Sequence, residues 1–139
     1  MEIRPYLESD QPAVIALWQV CDLVRPWNNP ERDIARKLKV NRELFLVGLV
    51  EGKIVATVMG GYEGHRGWIN YLAVDPAFQK NGFGKQLVTE IELGLLAMGC
   101  PKVNLQVRAG NQEALAFYEK IGYMNDNVAS FGKRLLTDD

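Results

Sequence analysis

The sequence predicts a mixed α/β fold, and three observations carry that reading. Apolar spacing alternates between the strand and helix periods along the chain. A strand-like run at residues 68–74 is followed by an amphipathic helical pattern and a second strand-like run at residues 102–107, which implies a parallel pair. A short Glu51-Gly52 connection between two apolar runs implies an antiparallel hairpin in the same sheet. The 139 residues, 47% hydrophobic and 24% charged, suit a single domain spanning residues 1–139 with one core.

The elements follow in order. A first strand is expected at residues 3–6. Ser9-Asp10-Gln11-Pro12 places a capping side chain ahead of a proline suited to a first helical turn, and Val14, Leu17, Trp18 and Cys21 then form one apolar stripe to about Val20. Asn29-Pro30-Glu31 repeats the cap-then-proline signal and opens a half-exposed helix to about Lys39, with Ile34 and Leu38 one turn apart. Residues 44–50 and 53–59 are the hairpin strands, with Gly60-Gly61 expected to end the second. The run 68–74 stops at Asp75-Pro76, where proline removes a ladder donor. Leu87, Val88, Ile91, Leu95 and Met98 hold helical spacing until Gly99, with Pro101 beyond. Residues 102–107 alternate as a half-buried strand, Asn111 begins a helix ending near Gly122, and one or two strands are expected from Tyr123 onward.

Several function classes are set aside by composition. A formal net charge of -1 provides no basic field for a nucleic-acid backbone. No apolar run approaches the ~18 residues of a membrane span. A single histidine and two cysteines without CxxC spacing form no zinc-type cluster, so no metal is expected. The charged start Met1-Glu2-Ile3-Arg4-Pro5 lacks the apolar core of a signal peptide, and a reducing cytoplasm is the expected compartment.

The chemistry is expected at Gln79-Lys80-Asn81-Gly82-Phe83-Gly84, set between the buried strand and a helix. Glycines let a backbone approach a ligand closely, and amide N–H groups at a helix start form an anion site aided by the helix dipole. Such a site suits a pyrophosphate, to which Lys80 and Lys85 could add charge. A Walker loop fails, because Gln79 stands at its first glycine and Gln86 follows Gly84-Lys85. A dinucleotide fingerprint lacks its third glycine, since Leu87 occupies that position.

Gln79, Gly82 and Gly84 resemble the Gln/Arg-x-x-Gly-x-Gly/Ala cofactor motif of the GCN5-related N-acetyltransferase (GNAT) superfamily. Residues 111–123, with Asn111, Ala114, Phe117-Tyr118 and Gly122-Tyr123, resemble its second signature, and Arg25-Pro26-Trp27 with residues 60–67 resembles a bacterial branch of the YpeA type. The resemblance implies one GNAT domain with a mostly antiparallel sheet of six to seven strands, a splayed parallel central pair and about four helices. It further implies a co-substrate, acetyl-CoA, and an amine acceptor, with direct acetyl transfer in a ternary complex by a monomer or homodimer.

Carried over residue by residue, the resemblance implies that backbone groups of Leu72, Ala73 and Val74 pair with pantetheine amides. Amides from Gln79, Lys80, Asn81, Gly82, Phe83 and Gly84 would hold pyrophosphate, and Asn111 would orient the pantetheine arm. Tyr118 would be the general acid for the departing thiolate, and a phenol of pKa ~10 retains that proton at neutral pH. Where many members carry a strand glutamate as base, this chain has Trp68, and no carboxylate lies between Trp68 and Leu72. A lysine amine of pKa ~10.4 is neutral in about one molecule in 2,500 at pH 7, an α-amine in roughly one of ten, so the missing base leans toward less basic amines. Glu63 and His65 are the remaining relay candidates, and Arg25, Trp27, Tyr62 and Arg66 are expected around the acceptor. A non-catalytic acyl-CoA sensor on the same fold is the alternative.

Overall fold

The structure, a computed structural model, describes residues 1–138. Their contacts divide them into two compact units, Met1–Asn104 together with Asp138, and Leu105–Thr137.

In the first unit β1 (Glu2–Pro5) leads through a 3₁₀ turn into α1 (Gln11–Val20) and α2 (Pro30–Lys37). The sheet continues with β2 (Phe45–Val50), β3 (Lys53–Tyr62) and β4 (Gly67–Val74), then α3 (Phe83–Ala97) and β5 (Val103–Asn104). Strand order is β1-β2-β3-β4-β5. Every neighbouring pair is antiparallel except β4 and β5, which run parallel. Glu51 and Gly52 take φ of 51° and 77°, the two positive values that a tight β2–β3 hairpin requires.

The helix signals are met with one change of role. Asn29 caps α2 by accepting the Arg32 amide at 3.1 Å, with Pro30 in the first turn. Asp10, expected as a cap, makes no capping bond to α1. Its carboxylate instead accepts both Arg4 guanidinium nitrogens, at 2.7 and 2.9 Å, and the Leu7 amide at 2.8 Å. Charge-assisted bidentate geometry outweighs a single helix cap. The pair pins β1 to the start of α1.

The core gathers the expected stripe, with Val14, Leu17 and Trp18 buried against Tyr6, Phe45 and Val47. Tyr6 stacks on Phe45 with ring centroids 4.4 Å apart. On α3, Leu87, Val88, Ile91 and Leu95 are buried, as their helical spacing requires.

Gly60 and Gly61 do not end β3, which runs through both to Tyr62. A β-carbon at Gly60 would lie 2.7 Å from Ile91 Cγ2, and one at Gly67 would lie 2.8 Å from Leu95 Cδ1. These glycines admit α3 close to the strands, and close approach, not a turn, explains them. The second parallel strand is also shorter than residues 102–107, because its ladder holds only Gly67↔Val103 and Trp68↔Asn104.

The second unit contains α4 (Gln112–Lys120), capped by the Asn111 side chain on the Ala114 amide at 3.1 Å. No strand forms from Tyr123 onward among the described residues, so the sheet has five strands where six to seven were expected. Asn127 takes a left-handed φ of 55° and its amide bonds Asn125 Oδ1 at 2.7 Å, which interrupts an extended run. Met124 and Phe131 are 85% and 94% exposed, so they do not supply the buried face that pays a strand's ordering entropy.

The Arg4 guanidinium holds the Asp10 carboxyl below its ordinary value, with the Leu7 amide assisting. That stabilisation is present above the ordinary carboxylate range and is lost as pH falls through the lowered native value. Asp10→Asn is therefore expected to cost about 1–3 kcal/mol at pH 7. Urea unfolding should show the deficit shrinking at pH 3, and an equal deficit at both pH values would contradict the pairing.

Candidate active site

β4 carries an irregularity at its centre. Its ladder to β3 passes from Thr57↔Ala73 to Met59↔Asn70, so Tyr71 and Leu72 lie opposite the single residue Val58. Tyr71 takes a φ of 51°, left-handed for a bulky aromatic residue. Such a conformation costs about 1–3 kcal/mol and persists only when its surroundings over-determine it. The ladder to β5 ends at Trp68↔Asn104, and residues 70–74 run on beyond it.

Leu72, Ala73 and Val74 occupy that continuation, Ala73 buried and the other two half-buried. The Val74 carbonyl accepts the Gln79 side-chain amide at 3.1 Å and the Cys21 thiol at 3.4 Å. Gln79 thus ties the loop back to the strand through its side chain. Burial pushes the Cys21 thiol up, away from a reactive thiolate.

Asp75 Oδ1 accepts the Ala77 amide at 2.9 Å and closes a 3₁₀ turn over Pro76–Phe78. Lys80 and Gly82 then take φ of 68° and 78°, and Asn81 donates to the Phe78 carbonyl at 3.0 Å. These two left-handed residues fold the chain back so that α3 starts at Phe83 with Gly82 as its cap residue, and no side chain caps it. The first-turn N–H groups at Phe83, Gly84 and Lys85 have no intrahelical partner, and they sum with the helix dipole into an anion receptor. Lys80 and Lys85 are exposed. Lys85 also lines a depression with Met1, Ile3, Gln86, Thr89 and Glu90.

A polar cluster not foreseen in the sequence meets at Tyr71. The phenol donates to Asp33 Oδ2 at 2.6 Å and accepts from Asn28 Nδ2 at 2.8 Å. Its ring stacks on Trp18 with centroids 3.9 Å apart, and its carbonyl accepts from Thr57 Oγ1 at 3.0 Å. Trp18 Nε1 in turn donates to Thr57 Oγ1 at 2.9 Å. Burial, then the Asp33 bond, raises the Tyr71 pKa strongly, so the phenol keeps its proton. The only sequence signal was polar Thr57 inside an apolar strand, which becomes fully buried.

The hairpin tip gives Glu63 a local task. Its Oε1 accepts the His65 amide at 2.6 Å and the Arg66 amide, and these bonds lower its pKa. His65 is exposed, with Nδ1 3.5 Å from Arg66 Nη1. Four residue steps of strand lead from Gly67 to Tyr71, roughly 13 Å at strand rise. The tip is therefore remote from the bulge. Trp27 is exposed, with the Arg25 guanidinium 6.0 Å from its ring centroid.

In the second unit Asn111 uses its side-chain oxygen for the cap described above. Tyr118 is half-buried and lies edge-on to Phe117 and Tyr123, at centroid distances of 5.0 and 5.7 Å. Burial pushes its phenol up to about 12. Among the described residues, no three His, Cys, Asp or Glu side chains are gathered as a metal site, and no helix is long and apolar enough to cross a membrane.

A central strand running past its β5 ladder, a left-handed loop and an uncapped helix start define a mixed α/β protein with a glycine loop at the end of that strand. Residues 8–123 match the Acetyltransferase (GNAT) family. An acetyltransferase of Yersinia enterocolitica is 51% identical over 138 residues, covering 99% of this chain and 98% of its own length. An aminoglycoside acetyltransferase from an uncultured soil metagenomic sample superposes with a TM-score of 0.75 at 26% identity, over 97% of this chain and 96% of its own. The ribosomal-protein-S18-alanine N-acetyltransferase of Escherichia coli gives 0.73 at 26%, over 87% and 76%. The chain belongs to the GNAT family of acetyltransferases.

Gly82→Ala tests the loop. A β-carbon there meets nothing within 4 Å, so the cost is conformational, from φ of 78°. Thermal unfolding should show a loss of about 1 kcal/mol, and calorimetry should show weaker coenzyme A binding. Unchanged binding would separate the loop geometry from ligand capture.

Proposed function

We propose that the chain transfers an acetyl group from acetyl-CoA directly to a primary amine of a small molecule, peptide or protein, within a ternary complex. The observation that carries this reading is the run of β4 past its β5 ladder to Val74, followed by the left-handed loop and the uncapped start of α3. Main-chain groups of Leu72, Ala73 and Val74 are the proposed partners of the pantetheine amides. The amides of Gln79 through Gly84, with Lys80 and Lys85 adding charge, are the proposed pyrophosphate receptor. The two units then act together as one acetyltransferase domain, monomeric or homodimeric, in a reducing cytoplasm where Cys21 and Cys100 remain thiols. No metal takes part in this scheme.

The step balances simply. The neutral amine nitrogen attacks the thioester carbonyl carbon, a C–N bond forms, the C–S bond breaks, and the amine's surplus proton leaves to water. Asn111 orients the pantetheine arm with the part of its amide not used as a helix cap. Tyr118 supplies the proton to the departing sulfur and regains one from water, which has taken the amine's proton. Burial makes that phenol a weak acid, so it donates as the C–S bond breaks and does not ionise beforehand.

From the hairpin tip, Glu63 and His65 are relay candidates for the amine proton only through intervening water, Glu63 the poorer because two main-chain amides already hold it. A less basic amine needs neither, since a useful fraction is already neutral. A broad amine panel should therefore favour α-amines over lysine side chains. Binding of acetyl-CoA with no turnover on any amine would support the sensor alternative.

Tyr118→Phe should lower kcat by ~10² or more while coenzyme A affinity stays nearly intact. With the phenol pushed up to about 12, Tyr118 loses its proton only near that pH, so kcat should show no falling limb from this group up to pH ~10. Thiol release measured across pH checks both, and an unchanged kcat in the variant removes Tyr118 from the mechanism.

A further inference from the structure

We infer that Tyr71 is a positioning residue, its phenol tied to Asp33 and Asn28 so that the β4 bulge is held in register with the segment that precedes and opens α2. The inference rests on the acetyl-transfer reading, because that reading puts the pyrophosphate at residues 79–84 and the pantetheine along residues 74 to 72. The acetyl end then arrives at Tyr71.

A left-handed residue by itself calls for glycine, which adopts it without strain. This chain places tyrosine there instead, at φ of 51°, and ties it at three points. The ring lies on Trp18 at 3.9 Å, the carbonyl accepts Thr57 Oγ1 at 3.0 Å, and the phenol is held at 2.6 Å by Asp33 and 2.8 Å by Asn28. Asn28 is itself fixed, accepting the Arg25 amide at 2.6 Å and donating to the Leu23 carbonyl at 3.2 Å. The ring and carbonyl ties fasten the bulge to the core. The phenol ties connect it to the segment carrying Arg25 and Asn28.

The consequence is geometric. Main-chain dipoles beside the bulge polarise a thioester carbonyl only while their direction is fixed. Small displacements of such groups cost rate and leave binding of the remote cofactor portion intact. Tyr71→Phe keeps ring and backbone while deleting both phenol bonds, so it isolates the tie.

The test uses the full chain with acetyl-CoA labelled at the acetyl carbonyl, read by difference infrared spectroscopy, beside turnover on a panel of free amines and peptide N termini. Tyr71→Phe should leave coenzyme A affinity within about twofold, return the carbonyl band toward its position in free acetyl-CoA, and lower kcat by roughly tenfold or more. Asp33→Ala removes the shorter of the two phenol bonds and should move both readouts in the same direction as Tyr71→Phe but less far, because Asn28 still donates to the phenol. Asp33→Asn should largely restore them, because its amide oxygen still accepts the phenol proton. An unmoved band and kcat in Tyr71→Phe would overturn the inference. So would Asp33→Asn failing as badly as Asp33→Ala, since charge and not the tie would then be at work. Failure of the unaltered chain to bind acetyl-CoA is a separate result, which removes the acetyl-transfer reading itself.

Discussion

Two residues of β4 facing one residue of β3 is the constraint on which the rest depends. The ladder passes from Thr57↔Ala73 to Met59↔Asn70, and Tyr71 absorbs the mismatch by turning left-handed. A bulge bends its strand and increases its twist. Beyond it, residues 72–74 continue toward the glycine loop after the parallel ladder has already stopped at Trp68. A fully laddered strand would offer a ligand side chains alone, because its main-chain groups would already be paired.

The other side of the strand pair is shaped for α3, whose N-terminus is the proposed anion receptor. Gly60 and Gly67 each lack the β-carbon that would strike Ile91 or Leu95, so α3 lies close against β3 and β4. Its N-terminus is thereby fixed relative to β4, with Gln79 adding a direct tie to the Val74 carbonyl. Strand end and helix start are held by packing and by one short loop. A diphosphate ligand would find its receptor already assembled, so little ordering would be charged against binding.

Much of this was legible in the sequence because local rules carried it. Asn29-Pro30 capped α2, Glu51-Gly52 made the hairpin, and the spacing of Leu87, Val88, Ile91 and Leu95 gave the buried face of α3. The glycine loop and its following helix were readable for the same reason, since consecutive residues set both. What escaped was decided by partners distant in sequence. Gly60-Gly61 signalled a strand end until Ile91 supplied another reason for a missing side chain. Asp10 matched a helix cap, yet Arg4 offered its carboxylate two stronger bonds. Tyr71, Asp33 and Asn28 lie up to 43 residues apart, and no periodicity brings them together. One or two strands were expected after Tyr123, but a strand needs a ladder partner, and the turn at Asn125 to Asn127 interrupts the run.

A β4 that outruns its β5 ladder, carries a bulge at Tyr71 and leads to an uncapped helix is proposed to grip acetyl-CoA along its main chain. A crystal structure with acetyl-CoA bound measures that most directly. The account predicts the diphosphate on the amides of residues 79–84 and the acetyl carbonyl beside the left-handed backbone at Tyr71. A diphosphate bound elsewhere, or an acetyl group directed away from that bulge, would contradict it.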